Sequence, residues 1–159
     1  MFSTGAADAD NSWLLQQFSL LQLLDQSVSG DFADPDNDMV VNLLEYALGS
    51  DPWRPSLAAL PQAEIETISG ELEAFVGGSG DSGFVARRSY LKMTVDLEQR
   101  RSDLRYIVEV STDLVTWRSG APHTVTTHGT PSTLIVYDAT PIGERQRRFM
   151  RPTVESRSD

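Results

Sequence analysis

With 159 residues, the chain has room for one ordinary core, or for a small N-terminal segment followed by a β domain of roughly 100 residues, but not for two large domains. Apolar residues at 40% and charged residues at 23% describe a folded chain rather than a disordered one, and the absence of cysteine excludes disulfides, thiolate metal sites and cysteine nucleophiles. A formal net charge of −10 argues against nucleic acid as a partner, because phosphate binding needs a basic surface.

Met1 to Gly5 lacks the basic and apolar regions of a secretory signal, so an exported protein is expected to have had its signal removed or placed upstream. Residues 11–24 put Leu14, Phe18 and Leu21 at helical spacing, which predicts an amphipathic helix covering one edge of a core. Ser19 followed by Gln22 fits a capping box, so the helix is expected to restart at Ser19. Residues 25–41 are acidic, contain Gly30 and Pro35, and read as a loop. Helical spacing resumes from Asn42 to Gly49, where Leu43, Leu44, Ala47 and Leu48 form a stripe and Gly49 is the expected left-handed stop. Asp51-Pro52 prevents continuation, and residues 53–62, with Pro55 and Pro61, look like a linker.

From residue 63 the apolar period becomes two. Residues 90–97 alternate Leu91, Met93, Val95 and Leu97 with Tyr90, Lys92, Thr94 and Asp96, the pattern of a half-buried strand. Further strands are expected at 64–68, 71–76, 104–110, 114–119, 123–128, 133–138 and 147–154, separated by turn signals such as Gly77 to Gly83. The expected organisation is a helix–loop–helix segment over 1–52, a linker over 53–62 and an all-β domain over 63–159. The fold class is mainly β: an antiparallel, Ig-like β-sandwich preceded by a small helical segment with an EF-hand-like calcium loop.

That loop is the informative stretch. Oxygen-bearing side chains fall at loop positions 1, 3, 5, 9 and 12 through Asp34, Asp36, Asp38, Asn42 and Glu45, and position 7, Val40, needs only its carbonyl. Calcium takes six to eight oxygens, and this spacing wraps a short chain around one ion while Glu45 closes the shell from the next helix. Three aspartates so close repel one another without a cation. Magnesium fits less well, since it prefers octahedral sites that keep water. Zinc is disfavoured, with only His123 and His128 to supply nitrogen. The sharp turn at position 6 favours glycine and here holds Met39, which predicts a steric cost. The bland alternative is a solvated acidic turn that caps the Asn42 helix.

The segment ADPDNDMVVNLLEYALGSDP resembles the ADPDGDGLSNLLEYALGLDP-type segment of bacterial secreted and cell-surface proteins, whose calcium loops are similar to those of dockerins and thrombospondin type 3 repeats. Downstream, LRYIVEVSTDLVTW and RRFMRPTV are similar to segments that follow in the same C-terminal modules. The resemblance implies an exported, calcium-stabilised, β-rich accessory region with no assigned catalysis. Asn37 and Met39 stand where that pattern has glycines.

Residues 1–84 hold 14 acids and one base, net −13, whereas residues 85–159 hold 9 acids and 12 bases, net +3. Such polarity favours head-to-tail self-association into an oligomer or filament, with Arg100, Arg101, Arg105, Arg145, Arg147 and Arg148 as the basic side. Other domains of a parent protein are an equivalent partner. The rival function is a carbohydrate-binding accessory module of a secreted enzyme, with Trp13, Trp53 and Trp117 as candidates by analogy; Trp117 fits a core position and Trp53 an exposed one. A hydrolase is disfavoured because His123 and His128 sit on a predicted strand without a nucleophile elbow. Glu64, Glu66, Glu71 and Glu73 read as charge on the outer face of a sheet rather than as a glycosidase pair. No apolar run is long enough to insert in a membrane.

Overall fold

The structure, a computed structural model, describes residues 8–55, 57, 60–69, 87–97, 101–130, 132–143 and 147–157. The expected strand over 71–76, the Gly77 to Gly83 turn, Glu71, Glu73, Arg100 and Arg145 lie outside these residues. The chain divides into two compact units: Met1–Leu60 with Glu98–Tyr106 and Val154–Asp159, and Pro61–Leu97 with Ile107–Thr153. The first unit therefore takes in two short pieces of what reads, in sequence, as the β domain.

In the first unit, helix α1 (Asp8–Gln17) is followed by a 3-10 turn (Gln22–Leu24), then α2 (Gln26–Ser29) and α3 (Asn42–Leu48). The restart at Ser19 forms as expected: its N–H donates to Gln22 Oε1 at 2.8 Å and Gln22 N–H donates to Ser19 Oγ at 3.4 Å. Because the helix breaks after Gln17, the 3.6-residue period does not carry through to Leu21, which is exposed together with Leu20 and Leu24. The core is instead built on Trp13, Phe18, Leu43, Tyr46, Ala47, Leu104 and Val154. Trp13 meets Phe18 edge-on at 6.0 Å and Tyr46 at 5.5 Å. Gly49 ends α3 at φ 72, its N–H donating to Glu45 O, the left-handed stop that its lack of a Cβ allows.

The strands are antiparallel and make the chain mainly β. In the four-stranded sheet, β1 (Ala63–Ser69), β2 (Arg87–Asp96), β5 (Thr133–Asp138) and β4 (Thr124–Thr130) lie in the order β1-β2-β5-β4. A second sheet pairs β3 (Leu104–Ser111) with β6 (Phe149–Ser156). Its cross-strand pairs Arg105–Glu155 and Glu109–Arg151 run in opposite order along the two strands, as antiparallel pairing requires. The alternation in β2 holds at Met93 and Val95, but Tyr90 is buried and Leu91 only half-buried, so the inward set shifts at that end.

Residues 114–119 are not a strand. Asp113 Oδ1 accepts the N–H groups of Val115 and Thr116 at 2.9 and 2.7 Å, Leu114 turns through φ 64, and only a bridge between Val110 and Arg118 remains of the expected pairing. Side-chain capture of two ladder donors has overridden the apolar pattern. Trp117 is accordingly half-buried rather than core, with the Arg151 guanidinium 4.2 Å from its ring centre.

Candidate metal centre

The acidic loop lies between α2 and α3 in the first unit. Asp25 caps α2 by accepting Ser27 N–H at 2.9 Å, which holds the carboxylate below its usual range through the side-chain and backbone bonds of Ser27. Gly30 closes that helix so tightly that a Cβ would lie 2.5 Å from Gln26 O. From α3, Asn42 reaches back and donates Nδ2–H to the carbonyls of Val28 and Gly30, both at 2.9 Å. Backbone bonds from Asn42 N–H to Ala33 O and from Leu43 N–H to Asp31 O complete the frame. The loop is thus tied at both ends before its carboxylates are considered.

Asp34, Asp36 and Asp38 each place a carboxylate oxygen within 4.8 Å of the others. Asp34 accepts Asp38 N–H at 3.1 Å on Oδ1 and Met39 N–H at 2.9 Å on Oδ2. Asp36 Oδ1 accepts Asp38 N–H at 3.2 Å, and Asp38 Oδ1 accepts Val40 N–H at 2.8 Å. To make these bonds the backbone turns left-handed twice, at Asn37 (φ 60) and Met39 (φ 73). These are the two places where the resembling segments carry glycine. Asparagine tolerates that region through its short polar side chain; methionine, fully exposed here, has no such compensation.

Val40, Asn42 and Glu45 are buried, Asn42 at 1% exposure and Glu45 at 0%. Glu45 is not part of the aspartate triad; its Oε1 is 3.5 Å from Ser50 Oγ. Since both Nδ2 hydrogens of Asn42 are committed to carbonyls, its Oδ1 faces the interior as an acceptor, and it receives no hydrogen bond among the described residues. Asp36 Oδ2 is likewise buried without a donor. Burial first, then the charges of Asp38 and Asp34, push the Asp36 carboxyl above its usual range, against the one backbone bond that lowers it. The helix-capping alternative is not the arrangement found: α3 is capped at Val41 without any side-chain bond, and Asp38 spends its Oδ1 on Val40 N–H.

The oxygens present fit a hard cation. Two oxygens bound to one calcium at about 2.3–2.6 Å stand no more than about 5 Å apart, which the triad satisfies. The donor-free Oδ1 of buried Asn42 and the enclosed Oδ2 of half-buried Asp36 are groups a cation would satisfy.

The tryptophans offer less to a sugar than the sequence allowed. Trp13 is core; Trp53 is exposed as expected, though its Nε1–H is donated to Gln17 O at 2.9 Å and its ring packs edge-on against Phe18. Glu64 and Glu66 flank Lys92 at 2.9 and 3.1 Å, and Tyr137 O–H donates to Glu66; that hydrogen bond, then Lys92, holds the Glu66 carboxyl below its usual pKa range. His123 precedes β4, and His128 lies on it opposite Leu134. Of the basic residues expected to face a second copy, Arg101 stacks on Tyr46 at 4.6 Å, Arg105 binds Glu155, and Arg148 binds Asp138. No family model, curated protein or solved structure matches the chain.

Proposed function

We propose that this chain is a non-catalytic, calcium-stabilised structural module, with Asp34, Asp36, Asp38, the Val40 carbonyl, Asn42 and Glu45 as the ligand set. The observation that carries the reading is the converging aspartate triad, in a loop that also holds a buried Asn42 Oδ1 with no donor among the described residues. A fully buried amide oxygen with no donor costs free energy unless something satisfies it. In this reading the ion cross-links the loop to α3 and so fixes the entry of the core helix that carries Leu43, Tyr46 and Ala47. Calcium levels outside cells suit such a site, consistent with the exported β-rich modules that the sequence resembles, and the antiparallel strands take the sandwich arrangement of that class. The partner is a second copy or a neighbouring domain of the same polypeptide, met through Leu20, Leu21 and Leu24, which stand exposed within the acidic part of the chain.

Titration calorimetry with calcium and with magnesium tests the site. The expected result is a saturable calcium isotherm that Asp36→Asn weakens by tenfold or more and a weaker response to magnesium. Calcium heats equal to the buffer blank overturn the reading.

A further inference from the structure

We infer that the second unit carries a binding pocket for a small hydroxylated carboxylate, of the size of a single sugar acid. A cavity of about 300 Å³ is lined by Thr112, Asp113, Thr116, Arg118, His123 and Arg148, among others. That volume lies at the small end of ligand sites.

The lining pairs surplus donors with one spare acceptor. Arg148 is nearly buried, and Asp138, fully buried, grips its Nε at 2.6 Å and its Nη2. Asp138 is itself steadied by Thr140 N–H at 2.8 Å. The guanidinium plane is therefore fixed in advance, and its Nη1 bonds nothing among the described residues. Arg118 is anchored through its backbone, bonded in both directions to Val110, while its guanidinium has no partner among the described residues. His123 repeats the arrangement: its N–H donates to Gly120 O, its carbonyl accepts Ala139 N–H, and its imidazole bonds no described side chain. One guanidinium fixed by its ion pair, together with a second guanidinium and an imidazole on anchored backbone with donors to spare, matches a carboxylate, which guanidinium binds through paired N–H bonds.

Asp113 supplies the complementary side. Its Oδ1 accepts Val115 N–H, Thr116 N–H and Ser111 Oγ–H, at 2.9, 2.7 and 3.0 Å, which leaves Oδ2 to accept from a ligand hydroxyl. The turn that positions it is strained, since Leu114 is held at φ 64 while more than half exposed. Such strain persists only where the surroundings impose it, and it concentrates at binding sites. A neutral sugar leaves the arginine donors unmatched, and a phosphate meets the Asp113 charge.

The test is a titration of the full chain, at fixed calcium, with galacturonate, galactose and inorganic phosphate, followed by amide chemical shifts. Galacturonate is expected to move the amides of residues 111–118, 123 and 148, with galactose and phosphate each binding at least tenfold more weakly. Arg118→Met, whose backbone anchor is unchanged, is expected to lose about tenfold in galacturonate affinity and to leave the remaining spectrum in place. Absence of galacturonate shifts at millimolar concentration overturns the proposal. So does equal binding of galactose or phosphate, or an unchanged affinity in Arg118→Met.

Discussion

Two turns in this chain, Asp34–Asn42 and Ser111–Arg118, are organised by aspartate, and each drives a bulky residue through positive φ, Met39 at 73° and Leu114 at 64°. Their carboxylates meet opposite surroundings. Asp113 stands alone with three donors on one oxygen, and the backbone N–H groups of Thr116 and Val115, then the Ser111 hydroxyl, hold its pKa down at about 2. Asp36 sits among two other carboxylates with a single backbone donor, and burial followed by its neighbours' charge pushes it up. The first kind of turn stabilises its one charge with its own N–H and hydroxyl donors, all on Oδ1. The second collects acceptors beyond what its own N–H groups can satisfy, which is the arrangement a cation completes.

The comparison can be broken most forcefully at Asn42. Asn42→Ala removes the donor to the Val28 and Gly30 carbonyls and is expected to destabilise by about 2–4 kcal/mol, since each buried polar group left without a partner costs about 1–3 kcal/mol. Chemical denaturation checks this. A loss below about 1 kcal/mol means that the carbonyls find other partners and that Asn42 does not tie the loop to α3.

A smaller effect separates the two strained residues. Met39→Gly and Leu114→Gly each relieve a left-handed conformation worth about 1–2 kcal/mol, offset in part by the entropy glycine loses on folding. Both are expected to raise or hold stability, but only Met39→Gly is expected to tighten calcium binding. Equal calcium affinity in wild type and Met39→Gly means that the strain at Met39 is not coupled to the ion.

The smallest effect is a pH dependence. Because the folded Asp113 carboxyl titrates near 2, below its ordinary value of 3.8, the stability it contributes is present above about pH 4 and is lost as pH falls through about 2. Asp113→Asn removes that dependence. Acid titration of wild type and variant is expected to converge between pH 4 and 2; parallel curves across that window mean that the donors do not favour the charged form.

The convergence of Asp34, Asp36 and Asp38 was legible because its information is local, lying within one stretch, and the glycine preference of the turn foretold the left-handed Met39, as Gly49 foretold the end of α3. Strand β5 falls on the expected bounds because its six residues lie between clear turn signals. What was not legible depends on competition between partners. Nothing in the apolar pattern of residues 114–119 reveals that Asp113 will take the N–H groups a strand would use, and with that strand gone Trp117 leaves the core. Leu21 misled for a related reason: a capping box two residues beyond Gln17 resets the helical phase. The pocket at Arg118 draws on residues 110–113, 116, 118, 123 and 148, and its fixed arginine depends on a partner ten residues away, Asp138, so no single stretch announces it.

The claim that the Asp34–Glu45 loop is completed by calcium is tested most directly by thermal melting of the full chain in calcium and in chelator, with Asp36→Asn and Glu45→Gln alongside. Binding to the folded state alone adds about 2.7 kcal/mol at a hundredfold excess over Kd. The wild-type midpoint is expected to rise by about 5–10 °C in calcium, the shift that stabilisation produces in a chain of this size, and the rise to vanish in both variants. Superimposable wild-type curves in calcium and in chelator contradict the account.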